Sequence, residues 1–188
     1  ALAALHRDQI VHGDIKPSNI MIKRTGNTKI VDIGSAFELD DPPLRRSCTP
    51  AYAAPEVLDG AEFTPRSDLA SLGYVLIEML SGQHPFPDTN GLDELLAAKR
   101  SLPQRLHEIL PGEVTCNELL TNFCRGLIAP DPTRRFPSAE DADFRKGGAA
   151  AFHRQLIKSD LASEYENDLR IWVEELRELD ELEKGGPR

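Results

Sequence analysis

Asp14, Lys16 and Asn19 place a carboxylate, an amine and a neutral amide oxygen within one six-residue span, in the run His12-Gly13-Asp14-Ile15-Lys16-Pro17-Ser18-Asn19. The run follows a short apolar segment, Gln9-Ile10-Val11. Pro17 argues against a plain helix, because proline lacks an amide hydrogen and fixes its own φ. On a loop, such a trio can supply a base, a phosphate clamp and a metal ligand. Taken alone it equally suits a polar surface loop, so the rest of the chain must decide. Four further features stand in order behind it: Asp32-Ile33-Gly34, Ala54-Pro55-Glu56, Asp68, and Asp131-Pro132-Thr133-Arg134-Arg135. Asp68 is the anomaly among them. It opens a strongly apolar segment, where an unpaired carboxylate is costly, so it should accept hydrogen bonds from backbone amides.

The elements that must position these residues are mostly helical. Ala1 to His6 reads as the end of a helix. Ile20-Met21-Ile22 and Thr28 to Val31 are β-type runs around turn residues and predict one antiparallel hairpin. Ser35 to Ala54 has no clean period, and a long irregular loop in a compact domain is commonly functional. Pro55 to Leu58 starts a short helix. Thr64 to Leu80 is the strongest helix signal, with Thr64 as N-cap, Pro65 at the first position and Gly82 as the stop. Its apolar residues cover nearly the whole circumference, which predicts a central, buried helix. Leu92 to Lys99, Leu102 to Leu110 and Asn117 to Ile128 read as three short helices, and Ser138 caps another.

The chain has 188 residues, 40% hydrophobic and 28% charged, the composition of a soluble globular protein. Its net charge of -9 argues against nucleic acid as a partner, since nucleic-acid binders carry a basic face. Three cysteines, Cys48, Cys116 and Cys124, fit no metal spacing and suit a reducing, cytoplasmic setting. Leu69 to Leu80 is too short for a membrane span and contains Glu78, and Ala1 to Leu5 is followed at once by charged residues rather than a leader pattern. Beyond Gly147-Gly148 the character changes. Tyr165, Leu169, Trp172, Leu176 and Leu179 form a heptad-like stripe in an acidic tail, readable as a helix lying back on the domain or as one awaiting a helical partner. The expected division is therefore 1–147 as one domain and 148–188 as an amphipathic tail.

In this order and spacing the features resemble the eukaryotic-type protein kinase family, specifically its C-terminal lobe, over Ala1 to Gly147. That family carries H-x-D-x-K-x-x-N, D-F-G and A-P-E, with an activation segment between the last two. The resemblance implies a mainly α lobe with one small hairpin, the β-rich N-terminal lobe lying outside this chain. It implies Asp14 as catalytic base, Lys16 as neutraliser of the transferred phosphoryl charge, and Asn19 and Asp32 as Mg²⁺ ligands for ATP. Met21, with Ile20 and Ile22, would form an apolar floor under the adenine. Thr49 would order the substrate segment, Glu56 and Arg135 would form a buried ion pair, Asp68 would hold the amides of the catalytic loop, and His12 would be a packed core histidine. A lysine at position 16 is the serine/threonine pattern, and the aromatic, acidic tail suggests a bacterial member.

Three departures qualify the resemblance. Gly13 replaces the arginine that usually receives an activation-loop phosphate. Ile33 replaces the phenylalanine of D-F-G. No glycine-rich loop, no strand lysine for the α- and β-phosphates and no helix glutamate to partner it precede Ala1, so the chain is expected to be part of a longer kinase and inactive alone. Two rivals remain. One is a small-molecule phosphotransferase of the aminoglycoside type, suggested by H-G-D. The other is a non-catalytic kinase-like scaffold. Expected partners are a protein substrate, an N-terminal kinase lobe and a helix for the 160–184 stripe, with no nucleic acid and no membrane.

Overall fold

Helix α3, Pro65–Ser81, is the element on which the others pack, and its ends are set by local chemistry. In a computed structural model, which describes residues 1–23, 27–42, 47–158 and 171–176, Thr64 and Ser67 form a reciprocal capping box. Gly82 closes the helix in a left-handed conformation at φ 72°, its amide donating to the Glu78 carbonyl over 2.8 Å. Leu69, Ala70, Tyr74, Val75 and Ile77 are buried. The circumference is not apolar core throughout. Met79 is 69% exposed, and Leu72 and Leu76 are half-buried along an apolar cleft of about 460 Å³ shared with Leu2, Ile20, Ile22 and Ile30.

In chain order the elements are α1 (Leu2–Arg7), β1 (Ile10–Val11), β2 (Ile20–Ile22), β3 (Thr28–Ile30), β4 (Phe37–Glu38), α2 (Pro55–Leu58), α3, α4 (Leu92–Ile109), α5 (Gly112–Thr115), α6 (Glu118–Ile128), α7 (Ala139–Phe144) and α8 (Ala149–Lys158). The fold is mainly α. The expected hairpin is β2–β3, with Ile20 opposite Ile30 and Ile22 opposite Thr28. A second two-stranded sheet pairs β1 with β4, Val11 opposite Phe37, and the sequence reading did not anticipate it. Two-residue strands are too short to display an alternating pattern.

The two short helices expected over 92–99 and 102–110 are one helix, α4, which runs through Pro103. Leu95, Leu96, Lys99, Leu102, Pro103 and Leu106 are its buried residues, and their three- and four-residue spacing keeps one face on the core. That burial overrides the helix-breaking tendency of proline. Helix α6 begins at Asn117, whose side chain accepts the Leu120 amide, and it lies against α3 at Gly73. A Cβ at Gly73 would stand 2.5 Å from Ile128 Cγ2, so the close approach requires glycine there.

Helix α8 packs back on the domain through half-buried Phe152 and an Asn117 Nδ2 to Gln155 Oε1 hydrogen bond of 3.2 Å. Residues 171–176 of the expected 160–184 stripe are helical, with Ile171, Trp172 and Leu176 exposed. Its other positions lie outside the described residues. Among the described residues no helix is long and apolar enough to cross a membrane.

Candidate active site

The first turn of α3 anchors the loop that bears Asp14. Asp68, 1% exposed, accepts the His12 amide at 2.8 Å and the Gly13 amide at 2.9 Å, one on each carboxylate oxygen. His6 of α1 adds its Nε2 at 2.9 Å. The buried carboxylate is thus satisfied by three nitrogens, which accounts for its place in a core. Gly13 sits at φ 76°, and a Cβ there would lie 3.1 Å from the Ser35 carbonyl oxygen. The positive φ makes any side chain strained there, and the Ser35 carbonyl would have to give way by a few tenths of an ångström to admit one.

His12 is fully buried. Its Nδ1 accepts the Asp14 amide at 3.3 Å, which leaves the proton on Nε2 to donate to the Val31 carbonyl, also at 3.3 Å. Asn19 donates through Nδ2 to the Asp14 carbonyl at 2.9 Å, and its own carbonyl accepts the Val31 amide at 2.9 Å. These bonds tie the end of β3, and hence Asp32, to the Asp14 loop. Asp32 is exposed, in a left-handed conformation at φ 59°, with one oxygen accepting the Gly34 amide at 3.3 Å.

The Asp14 carboxylate is held from two sides. Lys16 Nζ donates to Oδ2 at 2.5 Å and the Thr49 amide donates to Oδ1 at 3.0 Å. Lys16 also donates to Thr49 Oγ1 at 3.1 Å, which closes the triangle. Burial alone would raise the Asp14 carboxyl, but hydrogen bonds from Lys16 and Thr49 outweigh it and hold the group below the ordinary carboxylate value. Asp14 is therefore an anion at neutral pH, able to accept a proton.

The segment carrying Thr49 is fixed at its far end. Glu56 and Arg135 form a two-pronged ion pair with both contacts at 2.6 Å, and Arg135 also donates to the carbonyls of Ala129 at 2.7 Å and Arg66 at 2.9 Å. Three neighbouring groups escaped the sequence reading. They are His6, the Tyr52 hydroxyl donating to Glu78 Oε2 at 2.6 Å, and Lys99 Nζ donating to the Ala51 carbonyl at 2.7 Å. Lys99 alone left a signal, being a charged residue on the apolar stripe of α4.

Met21 does not share a face with Ile20 and Ile22. Those two line the apolar cleft beside α3, while Met21 is 56% exposed, as strand alternation requires. A surface that packs on Met21 therefore does not meet Ile20 and Ile22 from the same side.

Asn19 and Asp32 offer the hard oxygens that suit Mg²⁺, which is held by one or two carboxylates together with substrate phosphates rather than by a closed protein cage. The Asn19 amide orientation fits, since Nδ2 is engaged with the Asp14 carbonyl and Oδ1, which accepts only a long 3.4 Å bond from the Ser18 hydroxyl, keeps a lone pair for a metal.

A helical lobe centred on α3, with this carboxylate, lysine and asparagine loop held on its first turn, is the architecture of a kinase C-terminal lobe. The protein kinase domain family matches residues 1–143, and the chain belongs to it. It is 37% identical over 141 residues to the SNF1-related protein kinase catalytic subunit alpha KIN12 of Arabidopsis thaliana, covering 72% of this chain and 26% of that protein. It is 33% identical over 150 residues to the serine/threonine-protein kinase PrkC of Bacillus subtilis, covering 76% and 22%. For the serine/threonine-protein kinase PknA of Corynebacterium glutamicum the figures are 34% over 144 residues, 74% and 29%. The chain thus spans about a quarter of the length of these curated relatives.

Proposed function

We propose that this chain is the acceptor-binding and base-bearing part of a protein serine/threonine kinase that moves the ATP γ-phosphoryl group to a Ser or Thr hydroxyl. The observation that carries the reading is the fixed Asp14 carboxylate, ionised and held between Lys16 and Thr49. Asp14 accepts the proton of the acceptor hydroxyl as its oxygen bonds to the γ-phosphorus and the bond from that phosphorus to the β–γ bridging oxygen breaks, ADP leaving. Lys16 neutralises charge on the transferred group, and Asn19 and Asp32 would hold Mg²⁺, which would supply charge stabilisation to the phosphates. The link from Thr49 through Glu56 to Arg135 supports a polypeptide acceptor, because it makes the 47–56 segment a fixed surface beside the base. Residues 1–188 include no glycine-rich loop with a strand lysine for the α- and β-phosphates, so this chain by itself should transfer phosphate slowly. Its three free thiols suit a cytoplasmic setting.

The test is Asp14→Asn in the full-length protein, with phosphorylation of an acceptor protein followed by mass spectrometry. The rate should fall by about 10²- to 10⁴-fold while Mg²⁺-ATP affinity persists. An unchanged rate would remove Asp14 from the chemistry. Absence of Mg²⁺-ATP affinity in the unaltered protein would favour a scaffold.

A further inference from the structure

Lys99 is a fully buried cation on α4, and packing alone does not explain it. Its Nζ sits 3.9 Å above the Tyr74 ring centroid and 4.5 Å from that of Phe86, and it donates to the Ala51 carbonyl at 2.7 Å. Among the described residues no carboxylate lies within ion-pair distance of it. A buried ammonium with one carbonyl and two ring faces recovers part of its lost hydration. An unbranched apolar side chain would fill the same space without that penalty.

The charge is explained by what it holds. Tyr52 and Ala53 both donate their amides to the Thr49 carbonyl, at 2.9 and 3.0 Å, so residues 49–53 form one tight turn. Ala51 is the middle of that turn, and Lys99 grips its carbonyl from the side of α4. The start of the same turn is Thr49, whose amide and hydroxyl fix Asp14 and Lys16. A continuous hydrogen-bonded path therefore runs from α4 to the base.

We propose that Lys99 is a positioning residue for phosphoryl transfer, its ammonium locking the 49–53 turn so that Thr49 meets Asp14 and Lys16. The proposal rests on the kinase reading above. It predicts that the charge serves geometry at the site rather than stability of the fold, so that the two separate on substitution.

The test uses Lys99→Met, with Lys99→Leu as a second variant, in the full-length protein. At pH 7 the thermal midpoint of both should equal or exceed that of the parent. Hydrogen exchange at the Tyr52 and Ala53 amides should accelerate by about tenfold or more, while α3 amides keep their protection. Affinity for Mg²⁺-ATP should be unchanged, and kcat for phosphorylation of casein as acceptor should fall by about 10- to 100-fold, the scale of an ångström-sized misplacement. Unchanged exchange at 52 and 53 overturns the proposal, as does loss of stability with exchange rising through α3 in both variants. If the parent transfers no phosphate, the kinase reading fails separately, and the exchange result still decides whether Lys99 fixes the turn.

Discussion

Thr49 meets Asp14 and Lys16 with different atoms, its amide on the carboxylate and its hydroxyl on the ammonium, so one substitution can separate the two contacts. Thr49→Val keeps the amide bond and removes the hydroxyl. Lys16 then loses a partner, and kcat should fall by about tenfold, or ~1.4 kcal/mol in the barrier. The acid limb of the rate profile should move up in the same variant, since the Thr49 hydroxyl, besides accepting from Lys16, helps hold the Asp14 carboxyl below its ordinary value of 3.8. For a depressed carboxyl, the stabilising contribution is complete above that ordinary value and disappears as pH falls through the folded one. Ser47, exposed and two residues away, should behave differently. With Gly13 where an arginine would receive a phosphate, Ser47→Ala should hold activity within about twofold. A loss restored by Ser47→Glu would disprove that. Asp14, Lys16 and Asn19 were legible in the sequence because they share one short loop. His6 was not, because its partner Asp68 is 62 positions away and nothing local marks the contact.

Helix α4 shows how an element carries both a packing role and an unexpected charge. Burial pushes the Lys99 ammonium down from 10.5 to about 7. The titratable groups facing it are Cys48 on the 47–56 segment and Tyr74 on α3, both raised by burial and therefore neutral around pH 7. A depressed lysine lets the unfolded chain bind the extra proton between those two values, so the fold gains stability as pH rises from about 7. The stability advantage of Lys99→Met should therefore be largest near pH 6 and shrink by pH 9, as read by thermal midpoints at the two values. A constant difference would mean that Lys99 does not titrate in this range. At this scale the sequence was informative wherever a helix had both caps and a stripe, as in α3. It misled between Lys99 and Leu102, where two helices were expected and the buried leucines on either side of Pro103 keep one helix whole. It was silent on β1 and β4, whose pairing depends on a loop closing across the Asp14 segment.

Over the whole molecule, the Glu56–Arg135 pair joins residues 79 positions apart and binds three regions at once. Arg135 reaches the end of the 47–56 segment through Glu56, the start of α3 through the Arg66 carbonyl, and the exit of α6 through the Ala129 carbonyl. Both residues were legible because each belongs to a recognisable short run. The further engagement of backbone carbonyls was not, because those acceptors carry no residue identity. The geometry makes the two sides of the pair unequal. The Arg135 side chain is fully buried while that of Glu56 is 16% exposed, so removing the carboxylate strands a guanidinium that water cannot reach. Glu56→Ala should therefore cost about 3–5 kcal/mol of unfolding free energy, the scale of an uncompensated buried charge. Arg135→Met should cost less than Glu56→Ala, because Glu56 left behind can turn toward solvent. The double variant Glu56→Ala, Arg135→Met should be more stable than Glu56→Ala alone, since it removes the stranded charge. Denaturant titration of the three variants measures all of this. A double variant weaker than Glu56→Ala would show that Arg135 contributes mainly through the Ala129 and Arg66 carbonyls, not through its ion pair.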